Sequence, residues 1–285
     1  DAAHARSMKV FFDIITNHTA DVIQYEGDVY TYRNKTDAPY RDATGAAFND
    51  LDYAGSATFP PLDANVSFPY KPVVPAAAAT IKVPAWLNNP LYYHNRGDST
   101  FSGENSLYGD FFGLDDLFTE HPDVRTGLIQ IFQDAVTTFD VDGFRIDTMK
   151  HVNADFWRQF APALNSYAAA HGKPNFFMFG EVYSANEQLL SFYPTDPDVQ
   201  AVLDFGFQAA AREFASKSSA TDNLRTFFEK DDWFIDADSN AAQLPTFLGN
   251  HDMGRIGYFL KTDNSSAPDA ELLARSKVAH ALMYF

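Results

Sequence analysis

Hydrophobic residues along this chain fall into two alternating patterns. Residues 8–15 (MKVFFDII) form an apolar run broken by a single Asp, which predicts a strand buried on both faces. Residues 141–146 (VDGFRI), 175–179 (NFFMF), 199–205 (VQAVLDF) and 243–248 (QLPTFL) are similar short runs and predict further strands. Between them lie helical periods. Over 122–139, Val124, Leu128, Ile131, Phe132, Ala135 and Phe139 share one face, and Pro122 suits a first turn. Over 153–170, Phe156, Phe160, Leu164 and Tyr167 do the same, with a kink expected at Pro162. Strands alternating with helices predict an α/β fold with a parallel sheet and right-handed crossovers.

One interval breaks this rhythm. Residues 19–115 carry no long helical period and are rich in Pro, Tyr, Phe, Asn and Asp, as in FPPLD (59–63) and VPAWLNNPLYYHN (83–95). A structureless loop of that length does not suit a compact domain, so the interval is expected to be an irregular inserted subdomain. Both ends read as cut within elements. Residues 1–7 look like the tail of a helix, and 271–285 place Leu272, Leu273, Val278, Leu282 and Phe285 at roughly helical spacing with no closing Gly or Pro.

Composition narrows the functional classes. The 285 residues are 46% hydrophobic and 15% aromatic, enough for a large core of about the size an α/β barrel needs. A net charge of -17 repels nucleic acid and anionic membrane surfaces and favours neutral substrates such as sugars. With no cysteine, disulfides and thiol chemistry are ruled out, and the compartment stays open. No apolar run approaches the length of a membrane span.

In a parallel barrel the chemistry lies at the carboxyl ends of the strands. The first run ends in Asp13, Asn17 and His18; GFRID ends in Arg145 and Asp147; the third ends in Glu181; and GNHD ends in His251 and Asp252. Any one strand end often carries Asp or Asn. Four in succession, bringing carboxylates, imidazoles and a guanidinium towards one rim, are more than that accounts for.

The motifs DIITNH (13–18), GFRIDTMKH (143–151), FGEV (179–182) and FLGNHD (247–252) resemble the four ordered motifs of the α-amylase family, and LDDL (114–117) looks like its fifth. The resemblance covers nearly the whole chain. It implies a (β/α)8 TIM barrel, here incomplete at about strands 3 to 7, with an irregular subdomain inserted after strand 3. Residues 1–18 and 116–285 would belong to the barrel, and 19–115 to the insert.

The implied activity is retaining hydrolysis of α-1,4-linked glucans. Asp147 matches the nucleophile, Glu181 the general acid/base and Asp252 the third carboxylate; retention requires the first two about 5–5.5 Å apart. Arg145 would aim Asp147, with Asp13 orienting Arg145. His18 and His251 match histidines that bind the glucose at the cleavage point, Lys150 and His151 match groups on the leaving-group side, and Arg255 would reach one sugar further along. The resemblance also implies Ca2+, held by the side chains of Asn17 and Asp116 and the main-chain carbonyl of His151. Asp115 stands where the family usually has Pro, and Phe118 where it usually has Asp. The expected partner is an α-glucan, with no nucleic acid or membrane, and the expected location is extracellular. An α-1,6-acting or transglycosylating relative, or an inert fragment, are the competing readings.

Overall fold

A computed structural model describes residues 2–197 and 199–284, and divides the chain into two compact units, Asp1–Phe177 and Met178–Phe285. Phe285, expected on the last helix, and Asp1 lie outside the described residues. Among the described residues no helix is long and apolar enough to cross a membrane.

The first unit opens with a 3-10 turn at His4–Arg6 and strand β1 (Phe11–Ile15). Within residues 19–115 lie two small antiparallel ladders: β2 (Gln24–Tyr25) with β5 (Pro72–Val73), and β3 (Tyr40–Arg41) with β4 (Ala47–Phe48). A short helix α1 (Asn105–Tyr108) precedes the long helix α2 (Pro122–Phe139), strand β6 (Gly143–Asp147) and helix α3 (Ala154–Ala170). β1 and β6 pair in parallel, with Asp13 beside Arg145 and Ile15 beside Asp147.

Period-2 alternation explains what β6 presents. Phe144 and Ile146 are buried on one face, and Arg145 and Asp147 emerge half-buried on the other. Phe132 of α2 packs edge-on against Phe144 and against Phe160 of α3, so the helices cover the apolar face of the strand. Gly143 is required at the start: a Cβ there would lie 2.0 Å from the Phe177 carbonyl oxygen. β1 departs from expectation, because only Ile14 is buried while Phe11, Asp13 and Ile15 are exposed. A contiguous apolar run fits either a doubly covered strand or an alternating one, and here the alternation prevails.

Residues 19–115 have little regular structure yet are well anchored. Tyr40, Phe48, Phe59, Phe68 and the following Phe118 form an aromatic cluster. Arg96 is buried over the Tyr40 ring, 4.0 Å from its centroid, and donates to the carbonyls of Arg33 and Ala38. Side chains thus satisfy backbone groups that a sheet would otherwise pair.

The second unit contains β7 (Phe177–Gly180, starting at the boundary), helix α4 (Glu187–Thr195), β8 (Ala201–Val202), and helices α5 (Phe205–Ala215), α6 (Thr221–Phe228), α7 (Ile256–Asp263) and α8 (Asp269–Tyr284). β7 and β8 are parallel. Phe207, Ala211, Phe227, Leu248 and Ala279 share a core.

Two expectations are corrected. Residues 243–248 form no strand: a 3-10 turn (Ala241–Gln243) precedes an extended stretch in which Pro245 has no N–H to give a ladder, although its carbonyl accepts from Asp204 N–H. The last helix is not amphipathic as expected. Leu273 and Val278 are exposed, and the inward contact is made by Ala279 with Leu282 and Met283. α3 runs through Pro162 as one helix.

Candidate active site

Asp147 ends β6, and its Oδ1 accepts from Arg145 Nη1 at 2.5 Å; the same Nη1 donates to Asp13 Oδ1 at 2.8 Å. These contacts follow from the register, since Arg145 and Asp147 share one face and Asp13 lies directly alongside. Two carboxylates therefore hold one guanidinium, and the guanidinium restricts the rotamer of Asp147.

His18 and His151 are both buried. Burial holds the His18 pKa down at about 4, against the pull of the Asp147 carboxylate and with help from His151, so at neutral pH His18 is an uncharged hydrogen-bonding ring. Burial also lowers the His151 pKa. The ring of His151 is fixed by Nδ1, 2.7 Å from the Ser106 carbonyl oxygen. Phe111 lies flat on His18, with centroids 4.9 Å apart and planes 7° apart, and meets His151 edge-on at 5.2 Å. Lys150 is half-buried on the 3-10 turn Met149–His151.

The second unit carries the remaining expected residues. Glu181 directly follows β7 and is 7% exposed. His251 and Asp252 lie on an exposed turn, not at a strand end as expected. Asn250 Oδ1 accepts from the N–H groups of Asp252 and Met253, and His251 Nε2 is 3.2 Å from Asp252 Oδ2. Arg255, the N-cap of α7, reaches back to the Gly249 carbonyl at 3.4 Å.

Asn17 and Asp116, both buried, are brought together by an antiparallel bridge between His18 and Asp116 and by Leu117 N–H donating to the Asn17 carbonyl. Asp116 Oδ2 is 2.5 Å from His94 Nδ1, and His94 Nε2 is 3.0 Å from Glu120 Oε2. Burial raises Asp116 to about 7, opposed by His94. For His94, burial alone would lower the pKa, but the carboxylates of Glu120 and Asp116 outweigh it and hold the ring at about 9.

Asp110 is also buried, is raised to about 8 by burial and by the charge of Asp116, and takes the Asp116 N–H and the Tyr25 hydroxyl. Among the described residues no group of three His, Cys, Asp or Glu is arranged to hold a metal. The donors expected for Ca2+ are of another kind, an amide, a single carboxylate and a carbonyl. Asn17 and Asp116 supply adjoining hard oxygen donors in a buried setting, a donor type that suits such a cation.

His94, Glu120, Asp110 and Phe111 were not singled out from sequence. They sit in or beside the irregular segment, where no periodicity marks one residue over another. Asp115, noted as a departure from the family pattern, proves to be a buried anchor: it accepts from Val22 and Ile23 N–H groups and pairs with Lys82 Nζ at 2.5 Å.

The alpha-amylase catalytic-domain model matches residues 1–284. An alpha-amylase of Streptomyces lividans is 52% identical over 283 residues, 99% of this chain and 31% of that protein. A cyclomaltodextrin glucanotransferase of Klebsiella oxytoca is 27% identical over 195 residues, 62% of this chain and 28% of that protein. The chain thus spans about a third of the length of these curated relatives. The crystal structure of the Geobacillus thermoleovorans alpha-amylase complexed with acarbose shares the fold, with a TM-score of 0.62 at 23% identity over 97% of this chain and 47% of that one. On its sequence, over its whole length, the chain belongs to the alpha-amylase catalytic-domain family of glycoside hydrolases.

Proposed function

We propose that this chain carries the chemistry for hydrolysing α-1,4-glucosidic bonds in starch-like glucans, by double displacement with retention. The observation that carries the reading is the Asp147 carboxylate, held by Arg145 beside the uncharged, buried His18. In the first step an Asp147 oxygen attacks the anomeric carbon, the bond to the glycosidic oxygen breaks, and Glu181 gives that oxygen its proton. In the second, the Glu181 carboxylate takes a proton from water, water attacks the same carbon and Asp147 is released. Glu181, buried directly after β7, takes the acid role in this reading.

Asp252 binds sugar hydroxyls and favours the distorted transition state. His18 and His251 hold the glucose at the cleavage point, Lys150 and His151 act on the leaving-group side, and Arg255 binds a sugar further along. A Ca2+ ion held by Asn17, Asp116 and the His151 carbonyl would supply rigidity where residues 19–115 meet the barrel segment. The strands and helices of 1–18 and 116–285 are proposed as part of a (β/α)8 barrel, with 19–115 as the insert after its third strand. A polymeric glucan does not cross a membrane, which favours an extracellular site of action.

The cyclomaltodextrin glucanotransferases among the relatives favour a second reading, in which a sugar hydroxyl replaces water in the second step. One experiment tests both. The full-length protein is incubated with amylose, pullulan and maltoheptaose while the anomeric form of the first products is followed by NMR. The expected result is α-anomeric linear products from amylose and maltoheptaose, with turnover lost by several orders of magnitude in Asp147→Asn. In Glu181→Gln the loss should be about 10²–10⁴-fold on natural glucans and much smaller on activated aryl glycosides, which need no proton donor. β-Anomeric first products, or equal losses on both substrate types in Glu181→Gln, overturn the assignment. Cyclic products select the transfer reading.

A further inference from the structure

Lys35 and Asp50 meet inside the irregular segment, at the open end of a small hairpin. Lys35 lies before β3 and Asp50 follows β4, so the β3–β4 ladder brings the two side chains together across its base. Lys35 Nζ is 2.5 Å from Asp50 Oδ1, with side chains 18% and 0% exposed. Aromatic rings enclose the pair: the Tyr108 centroid is 3.8 Å from Nζ, the Tyr40 centroid 6.0 Å, and Phe48 stacks on Tyr40. Both main chains are fixed as well. Lys35 N–H donates to Glu104 Oε1 at 2.8 Å, and the Asp50 carbonyl accepts from the N–H groups of Tyr53 and Ala54.

The contact is close without being a hydrogen bond. Among the described residues no donor serves Asp50 Oδ1 or Oδ2 in hydrogen-bond geometry, although the side chain is completely buried. A carboxylate kept from water is normally hydrogen-bonded. The Lys82–Asp115 pair, at the same 2.5 Å, follows that rule: Asp115 accepts from Val22 and Ile23 N–H groups, and Lys82 Nζ also donates to the Tyr93 hydroxyl. Asp50 has no such support. Burial, and then the charge of Glu120, raise its pKa against the pull of Lys35, which favours the neutral acid.

We propose that Lys35 and Asp50 condense into a side-chain amide that staples the base of the hairpin. Proton transfer from the ammonium to the carboxylate gives an amine and a carboxylic acid, forms that a water-poor site favours over two charges. Lys35 Nζ then attacks Asp50 Cγ; a C–N bond forms and the C–O bond to one carboxyl oxygen breaks. That oxygen leaves as water, carrying the acid proton and one proton from the nitrogen. No oxidant, reductant or other reactant enters. Free amines and acids do not condense readily in water, but well-oriented intramolecular reactions reach effective concentrations of about 10⁵–10⁸ M. The neutral amide also removes two charges from the aromatic surroundings.

The test is the mass of the full-length protein, unfolded in guanidinium so that an ion pair does not survive. The expected mass is about 18 Da, one water, below the mass its amino-acid sequence gives. Tryptic digestion should yield a branched peptide, uncut after Lys35, that joins residues 34–41 to the peptide beginning at Asp42. Lys35→Arg keeps a cation without the nucleophilic amine, and Asp50→Ala removes the carbonyl; both should show their full sequence mass. The wild-type measurement decides by itself if either variant fails to fold. A wild type at full sequence mass, with trypsin cutting after Lys35, overturns the amide and leaves a buried ion pair. Loss of one water that maps to another site, such as a succinimide at a different aspartate, overturns it as well.

Discussion

Arg145 and Asp147, two residues apart on β6, are joined by a 2.5 Å ion pair whose guanidinium nitrogen also serves Asp13 on β1. Arg145→Ala should free the Asp147 side chain to leave its aimed rotamer. The expected loss is about 10²-fold or more in kcat with a smaller change in KM, since a preorganised charge is removed from the reacting centre. Arg145→Lys should recover only part of it, because an ammonium cannot present the same planar donor set. Wild-type kcat in Arg145→Ala would refute the aiming role.

Lys82 and Asp115 form a buried pair, with side chains only 6% and 3% exposed. Burial lowers the Lys82 pKa and raises that of Asp115, which marks the cost of desolvating both. Lys82→Met leaves an uncompensated carboxylate and should cost about 3–5 kcal/mol in denaturant unfolding. Adding Asp115→Asn should recover part of the loss, since an amide oxygen can still accept from Val22 and Ile23. If the double variant is less stable than Lys82→Met, the backbone bonds of Asp115 matter more than its charge.

Asp204 caps α5 by accepting the Phe207 N–H at 2.7 Å, and burial raises its pKa from 3.8 to about 6, with Glu187 and Asp231 adding to the rise. Between about pH 4 and 6 the native state therefore binds more protons at this group than the unfolded chain, and its contribution to stability falls as pH rises through that window. Asp204→Asn keeps a good cap without the charge. The stability of Asp204→Asn relative to wild type should climb from pH 4 to pH 6, by at most about 1.4 kcal/mol per unit, and level off above. A difference that is flat across this range, or one that falls, would refute the assignment.

Chelation tests the proposed calcium. Removing it should increase hydrogen exchange in residues 19–115 before the β6 amides, and should lower the unfolding midpoint. Added Ca2+ should reverse both, and Mg2+ should do so poorly, because the smaller ion demands a stricter geometry. No change in exchange or midpoint on chelation removes the site.

Much of the first unit was legible in the sequence because it is local. An i, i+2 spacing puts Arg145 and Asp147 on one strand face wherever that strand lies, and the period of 122–139 marks a helix with Val124, Leu128 and Phe132 inward. Contact over long separations is not encoded by period. Nothing in the chain's local pattern joins Asn17 to Asp116, Lys82 to Asp115 or His94 to Glu120, and those pairings exist because aromatic packing in residues 19–115 folds the segment back on itself. The strand expected at 243–248 failed for a related reason. Apolar content shows that a segment will be buried, but a ladder also needs partners for its N–H groups, and Pro245 withholds one. The approach of Lys35 to Asp50 was likewise decided by the fold, since only the antiparallel pairing of β3 with β4 brings them to the same end of a hairpin.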